Sequence, residues 1–183
     1  AAATLTRTVE VVDMTKPVIV LGGTETVAHE AVTVYADGGA TWTDTLDGNG
    51  SLVAAGTVNA NVPGSYILTY SKTDVAGNAA TQVTRTVTVT DTTKPVISLT
   101  GSATVTHEAA TSYSDGGATW TDTLDGNGSL VAVGSVNVNV PGVYTLTYDF
   151  TDAAGNAADQ ITRTVTVADS TKPVIALTGS ATV

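Results

Sequence analysis

Apolar and polar side chains alternate over several short stretches of the chain. In residues 143–150, Tyr144, Leu146, Tyr148 and Phe150 alternate with valine, threonine and aspartate. This period of two predicts a β-strand with one buried face. The same pattern predicts further strands, separated by turn-forming stretches such as SDGGA and LDGNG, at residues 96–99, 103–107, 118–122, 129–138 and 161–167. No segment has a helical period, so we predict an all-β fold.

The pattern repeats with a period of 78 residues, which is visible at Lys16, Lys94 and Lys172. Residues 13–90 and 91–168 are identical at about three quarters of their positions, and such self-similarity indicates a modular array. Residues 1–12 end like the last strand of a preceding repeat, and residues 169–183 begin like a following repeat. The short, evenly spaced strands predict an Ig-like antiparallel β-sandwich in each repeat, with the two sandwiches arranged end to end.

The inward faces of the predicted strands carry large apolar side chains and one arginine. Alternation places Arg163 on the same face as Val165 and Val167. We therefore expect either a bulge near the start of this strand, or Arg163 at the rim of the sandwich with only its stem buried. Asp37 and Asp115 are interpreted as turn residues. The predicted core contains Trp42, Tyr66, Leu68 and Tyr70 in the first repeat and Trp120, Tyr144, Leu146 and Tyr148 in the second.

The composition excludes several classes of function. The chain has 183 residues, 17 of them acidic and 7 basic, with a net charge of −10 and no cysteine. Nucleic acid is excluded as a partner because phosphate binding requires clustered Lys and Arg, and disulfides and structural zinc are excluded by the missing cysteines. No apolar run is long enough for membrane insertion, and the excess negative charge favours a monomer. His29 and His107 lack a Ser or Cys nucleophile constellation, so we predict no enzymatic activity.

The acidic loops predict a calcium site. In an Ig-like sandwich the loops TDTLDGNG and TDAAGN meet at the pole where the chain enters the domain. Oxygen ligands from loops suit Ca²⁺ better than transition metals, although the same residues are also ordinary turn formers. The predicted ligands are Asp91, Asp122, Asp125, Asp152 and Asn156, with Glu30 from the preceding repeat, and the equivalent Asp13, Asp44, Asp47, Asp74 and Asn78. The set that begins with Asp13 is expected to bind calcium more weakly, because the domain before Ala1 cannot supply its Glu.

Several motifs support a family resemblance. The runs DTTKPVISLTG and VPGVYTLTYDFTDAAGNAA, the latter duplicated around VPGSYILTY and TDVAGN, are similar to the Ig-like repeats of bacterial surface proteins, which are related in pattern to HYR-type modules. The resemblance covers both complete repeats and the two partial ones. It implies an extracellular spacer or adhesive stalk, commonly calcium-dependent, whose partners are neighbouring repeats of the same chain. It leaves the adhesive target unidentified.

Two alternatives from other classes remain open at this point. The repeats could be accessory modules of a secreted enzyme that bind polysaccharide, which requires exposed aromatic rings and is disfavoured by a buried Trp120. They could also bind ice or another ligand directly, which requires a flat, solvent-facing array of threonines, although the strand propensity of threonine explains the composition equally well.

Overall fold

The computed structural model describes residues 2–179, which form twelve β-strands and no helix. This confirms the predicted all-β fold. The chain divides into two compact units, residues 1–91 and 92–183. The strands of the first unit are β1 (Val18–Leu21), β2 (Thr26–Glu30), β3 (Ala40–Asp44), β4 (Gly48–Leu52), β5 (Gly64–Tyr70) and β6 (Val83–Thr90). Those of the second are β7 (Val96–Leu99), β8 (Thr104–Glu108), β9 (Ala118–Asp122), β10 (Gly126–Leu130), β11 (Gly142–Tyr148) and β12 (Ile161–Ala168).

Each unit contains two three-stranded sheets. In the first unit the strand orders are β1-β3-β4 and β2-β6-β5, and in the second they are β7-β9-β10 and β8-β12-β11. All neighbours are antiparallel except β2 with β6 and β8 with β12, which are parallel. The chain therefore begins each sandwich in one sheet and crosses to the other within a few residues. This crossing places the second and the last strand of each unit side by side in one sheet.

The core of the second unit lies between its two sheets. Leu146, Tyr148 and Val165 are each at most 3% exposed, as expected for inward-facing positions. Tyr144 and Trp120 are half-buried and pack against this cluster. The alternation in the sequence therefore predicted the inner face correctly, with the aromatic rings at its edges more accessible than its centre.

The two expectations for Arg163 were both wrong. Its pairing with Leu146 continues the regular register of β11 and β12 without a bulge, and the residue is only 2% exposed. The guanidinium stays in the core because its donors are used: Nη1 donates to the Asp115 carboxylate, Nε to the Ser102 carbonyl at 2.9 Å and Nη2 to the Thr100 carbonyl at 2.7 Å. Asp115 is thus the counter-charge of a buried cation as well as a turn residue. Asp37 and Arg85 form the same pair in the first unit.

The strand predicted at residues 129–138 was largely wrong. The observed strand β10 begins at Gly126, after a three-residue turn, and ends at Leu130. Two glycines make the turn and the early start of this strand possible. Gly126 has a φ of +88°, and Gly128 lies opposite Trp120, where an added Cβ would stand 2.6 Å from the indole Nε1. After β10 the chain leaves the sheet, and Val131 is 91% exposed.

The segments at the two ends of the described chain lie outside the sandwiches. Residues 2–12 are exposed and form no strand, and residues 169–179 also contain none. A lone strand needs a neighbour for its backbone hydrogen bonds, and the described residues offer none at these positions. Ala1 and residues 180–183 lie outside the described residues, so the assignment of both segments to further repeats stays a prediction.

Candidate metal centre

Three aspartates meet at one end of each sandwich. Asp13 lies before β1, Asp44 ends β3, and Asp74 lies in the loop after β5. One carboxylate oxygen from each comes within 4.8 Å of the others, and the equivalent residues Asp91, Asp122 and Asp152 form the same arrangement. We call these the first and second aspartate clusters. The loop convergence expected from the sequence therefore brings together three members of each predicted set.

One oxygen of each carboxylate shapes its own loop. Asp44 Oδ1 accepts hydrogen bonds from the backbone N–H groups of Leu46 at 2.9 Å and Asp47 at 3.0 Å. Asp13 Oδ1 accepts one from the N–H of Thr15 at 2.9 Å, and bonds from Thr15 lower the pKa of Asp13. These are Asx-turn contacts, so the interpretation as ordinary turn chemistry is correct for these oxygens.

The second oxygens of the same carboxylates have no such role. Oδ2 of Asp13, Asp44 and Asp122 is buried and accepts no hydrogen bond. A buried acceptor without a donor costs about 1–3 kcal/mol, and two carboxylates about 4.8 Å apart repel by about 3 kcal/mol at an effective dielectric of 20. A cation bound among these oxygens would remove both penalties.

An asparagine holds the third carboxylate in place. Asp74 is 7% exposed and accepts bonds from the Asn78 backbone N–H at 2.6 Å and from Asn78 Nδ2 at 2.8 Å. Asn78 Nδ2 also donates to the Asp13 carbonyl at 3.2 Å. In the second cluster burial raises the pKa of Asp152, but bonds from Asn156 outweigh it and leave the pKa below its usual value. The Asn156 amide thus favours the ionised form of the Asp152 carboxylate, and the Asn78 amide aligns the Asp74 carboxylate.

Asp47 and Asp125 lie outside the two clusters. Asp47 Oδ2 accepts a hydrogen bond from the Val75 N–H at 2.6 Å, and Asp125 Oδ2 accepts one from the Ala153 N–H at 2.7 Å. Each therefore fastens the loop that carries the buried cluster aspartate to the neighbouring hairpin. Their predicted role as ligands stays a prediction, while their contact to the adjacent loop is observed.

Glu30 is also not a member of either cluster. Its equivalent in the second unit, Glu108, accepts hydrogen bonds from the backbone N–H and hydroxyl groups of Ser170 and Thr171. The hydroxyl of Ser170 is the largest contributor to a lowered pKa of Glu108. Glu108 thus fixes the segment that follows β12. The hydroxyl residues after each repeated aspartate, in DTTKP and DSTKP, were the available sequence signal for this contact.

The remaining candidate residues have structural surroundings. Lys94 Nζ pairs with Asp159 at 3.2 Å, and both side chains are exposed. The Trp120 ring lies against Gly128 on its own sheet, and Phe150 stacks on it with ring centroids 4.0 Å apart. The His29 ring contacts Thr33 and stands edge-on to Tyr35 at 5.1 Å.

The comparisons with known proteins agree with this architecture. The family model for the bacterial surface protein Ig-like domain matches residues 19–89 and 97–167. The chain therefore belongs to this family and contains two tandem copies of its domain, which confirms the predicted Ig-like class and the resemblance noted in the sequence.

The other comparisons add little. A search of curated proteins found no match. Among solved structures, the lipoprotein BT2262 from Bacteroides thetaiotaomicron is 28% identical, with a TM-score of 0.36, over 43% of this chain and 40% of that one. The chain thus spans less than half of that protein. Within the described residues no helix is long and apolar enough to cross a membrane.

Proposed function

We propose that this chain is a pair of non-catalytic spacer repeats from the stalk of a bacterial cell-surface or secreted adhesin, and that each aspartate cluster binds Ca²⁺. Family membership supports the surface module. The calcium proposal rests on one observation: the Oδ2 atoms of Asp13 and Asp44 are buried, accept no hydrogen bond and belong to the same three-carboxylate cluster. The donors are all hard oxygens, which is the ligand set that calcium prefers.

The position of Asp91 supports a role in stiffening the array. Asp91 follows the last residue of β6 directly and precedes β7 by a few residues. A cation held by Asp91, Asp122 and Asp152 would fasten this connecting segment to two loops of the second repeat. A fastened connector has fewer backbone conformations than a free one, so calcium would restrict the hinge between successive repeats. This is the property that a stalk requires.

The binding test is calorimetric titration with calcium. Extracellular modules commonly bind calcium with dissociation constants of about 10⁻⁴–10⁻³ M, so about 1 mM calcium should stabilise the fold by about 0.4–1.4 kcal/mol per site. Asp44→Asn should abolish binding at the first cluster and Asp122→Asn at the second. Asp159→Asn is the matched control, since it removes an exposed carboxylate outside both clusters. No binding at millimolar calcium in the unmutated chain would refute the calcium proposal.

The stiffening test measures distances between spin labels placed on the two repeats. Calcium should narrow the distance distribution, a chelator should broaden it, and Asp122→Asn should remain broad in calcium. Binding without narrowing would leave the clusters as local stabilisers and would contradict the role in the hinge.

The carbohydrate-binding alternative is not favoured by the surroundings of the tryptophans. A sugar platform needs an open ring face, and Phe150 covers one face of Trp120. In the first repeat the Lys72 ammonium lies 4.2 Å from the centre of the Trp42 ring. Both rings are half-buried.

One observation does favour direct ligand binding as a second candidate function. On β12 the side chains of Thr162, Thr164 and Thr166 alternate with the buried residues of that strand and face outward. Register pairs continue this surface onto the adjacent strands through Thr104, Thr106, Val143, Thr145 and Thr147. The result is an uncharged array of hydroxyl and methyl groups. Ice adsorption that is lost in Thr164→Lys would support this function, and absence of adsorption by the unmutated chain would exclude ice as the ligand.

A further inference from the structure

The two repeats differ at several positions near the aspartate clusters, and one of these differences changes the charge beside a tryptophan ring. Lys72 in the first repeat corresponds to Phe150 in the second, at the same distance before the cluster aspartates Asp74 and Asp152. The Lys72 ammonium lies 4.2 Å from the centre of the Trp42 ring, whereas Phe150 stacks on Trp120 with centroids 4.0 Å apart and planes at 16°. The equivalent indole ring is thus covered by a cation in one repeat and by an apolar ring in the other.

Lys72 and the tryptophan that it covers each lie two residues before an aspartate of the first cluster. Trp42 precedes Asp44 by two residues on β3, and Lys72 precedes Asp74 by two residues in the segment after β5. Side chains two apart on an extended chain share a face and are separated by about 7 Å. The Lys72 ammonium lies over the ring of Trp42, two residues before the cluster residue Asp44, so we place its charge on the order of 7 Å from the first cluster.

We propose that Lys72 lowers the calcium affinity of the first cluster, so that the two repeats fill at different calcium concentrations. This inference rests on the proposed calcium function. A unit positive charge about 7 Å from a divalent cation weakens its binding by about 3- to 10-fold, according to how strongly water and salt screen the pair. The second cluster has no charge at this position, because Phe150 is neutral.

A difference in calcium affinity between the two clusters has a second explanation, which the contacts of Glu108 disfavour. The first cluster was also expected to bind calcium more weakly, because the sequence assigned it no Glu equivalent to Glu30. Glu108, the residue of the second unit that corresponds to Glu30, accepts hydrogen bonds from the hydroxyl groups of Ser170 and Thr171 with its carboxylate. The Lys72 explanation differs from this one in a testable way, since it depends on a single side chain within the first repeat.

The experiment uses full-length chains with one cluster removed. In an Asp152→Asn background, which leaves the first cluster, Lys72→Phe and Lys72→Gln should each tighten calcium binding by about 3- to 10-fold. In an Asp74→Asn background, which leaves the second cluster, Phe150→Lys should weaken it by a similar factor. Agreement between Lys72→Phe and Lys72→Gln would separate the loss of charge from the gain of an aromatic ring.

Salt provides the second readout. Raising the ionic strength to about 1 M shortens the screening length to about 3 Å, so the Lys72 effect should shrink, whereas an effect of repacking should not. Calcium binding in both backgrounds with no dependence on Lys72 would overturn this inference and leave the proposed function standing. No binding in either background, or in the unmutated chain, would overturn both.

Discussion

Arg163 donates a hydrogen bond to Asp115 inside the second sandwich, across a sequence separation of 48 residues. The phenolic hydroxyl of Tyr148 also donates to Asp115, at 2.6 Å. Burial alone would raise the pKa of Asp115, but the bonds from Tyr148 and Arg163 outweigh it and hold the pKa below its usual value. A repeat with no disulfide and a small core thus places a fully hydrogen-bonded ion pair between its sheets, and the first unit does the same with Arg85 and Asp37.

Breaking this pair should be strongly destabilising. Asp115→Asn leaves the Arg163 charge buried without its counter-charge, and the loss of one partner of a buried pair typically costs about 3–5 kcal/mol. Denaturant unfolding followed by fluorescence in a Trp42→Phe background, where Trp120 is the one tryptophan, measures the effect on the second unit. The matched control is Asp159→Asn, which breaks the exposed pair with Lys94 and should cost less than about 1 kcal/mol. An equal loss of unfolding free energy in the two variants would show that Asp115 is not the counter-charge of a buried Arg163.

The buried tyrosines should make the fold sensitive to alkaline pH. Burial, followed by the hydrogen bond to Asp115, raises the pKa of Tyr148 to about 12, and Tyr70 behaves in the same way beside Asp37. Since the folded pKa lies above the ordinary value of 10.0, this contribution to stability is complete below pH 10 and is lost as the pH rises from 10 to about 12. The loss should be of the order of 3 kcal/mol per tyrosine.

Ultraviolet absorbance of tyrosinate, combined with denaturation at several alkaline pH values, checks this expectation. Tyr148→Phe should remove the alkaline loss from the second unit while the first unit retains it. Ionisation of all tyrosines near pH 10 in a chain that stays folded would show that Tyr148 and Tyr70 are not held neutral in this way.

Glu108 should control the order of the segment after β12. Its folded pKa lies below the usual 4.5, because the hydroxyl of Ser170, then Thr171, donates to the ionised form. The stabilisation that ionised Glu108 gives to this segment is therefore present above pH 4.5, and it is lost as the pH falls through the lowered pKa of the folded state. The protection factors for amide hydrogen exchange at Ser170 and Thr171, which account for the slower intrinsic exchange in acid, should fall in acid, and should be lower in Glu108→Gln at neutral pH. Unchanged exchange in the variant would exclude this clamp.

The close approach of Gly128 to Trp120 leads to a packing prediction. Gly128→Ala would place a Cβ 2.6 Å from the indole Nε1, so the ring must move and lose its stacking on Phe150. Overpacking of this kind costs about 1–3 kcal/mol, and the Trp120 emission should change with it. Asn127→Ala, at the exposed neighbouring position on β10, is the control and should have little effect. A stable Gly128→Ala variant with unchanged emission would disprove the contact.

The sequence predicted the strands whose alternation was supported by large side chains. Residues 96–99 and 118–122 were located to the residue. It failed at β10, because Gly126 and Gly128 indicate a turn when read alone, whereas in the fold both pair with β9 and the Trp120 ring lies against Gly128. It also failed at Arg163, since the partner that makes a buried arginine tolerable is 48 residues away.

The site was predictable in outline and not in detail. The convergence of Asp44 and Asp74 follows from the topology, because consecutive loops of a sandwich meet at the same end. The different roles of Asp44 and Asp47 could not be read from the sequence. Both stand in a turn, and the backbone N–H groups nearby decide which carboxylate oxygen is occupied and which faces the cluster.

The parallel pairing of β8 with β12 has a mechanical consequence. Five residue pairs join these strands. Because the strands are parallel, the start of β8 and the end of β12 lie at opposite ends of the paired region. Tension that is transmitted to β8 and β12 pulls the two strands past each other, with their hydrogen bonds lying across the pulling direction. All five pairs must yield together, whereas a hairpin pulled open loses its bonds one at a time. The strand order of each unit thus gives this pair of strands a high resistance to pulling along the chain.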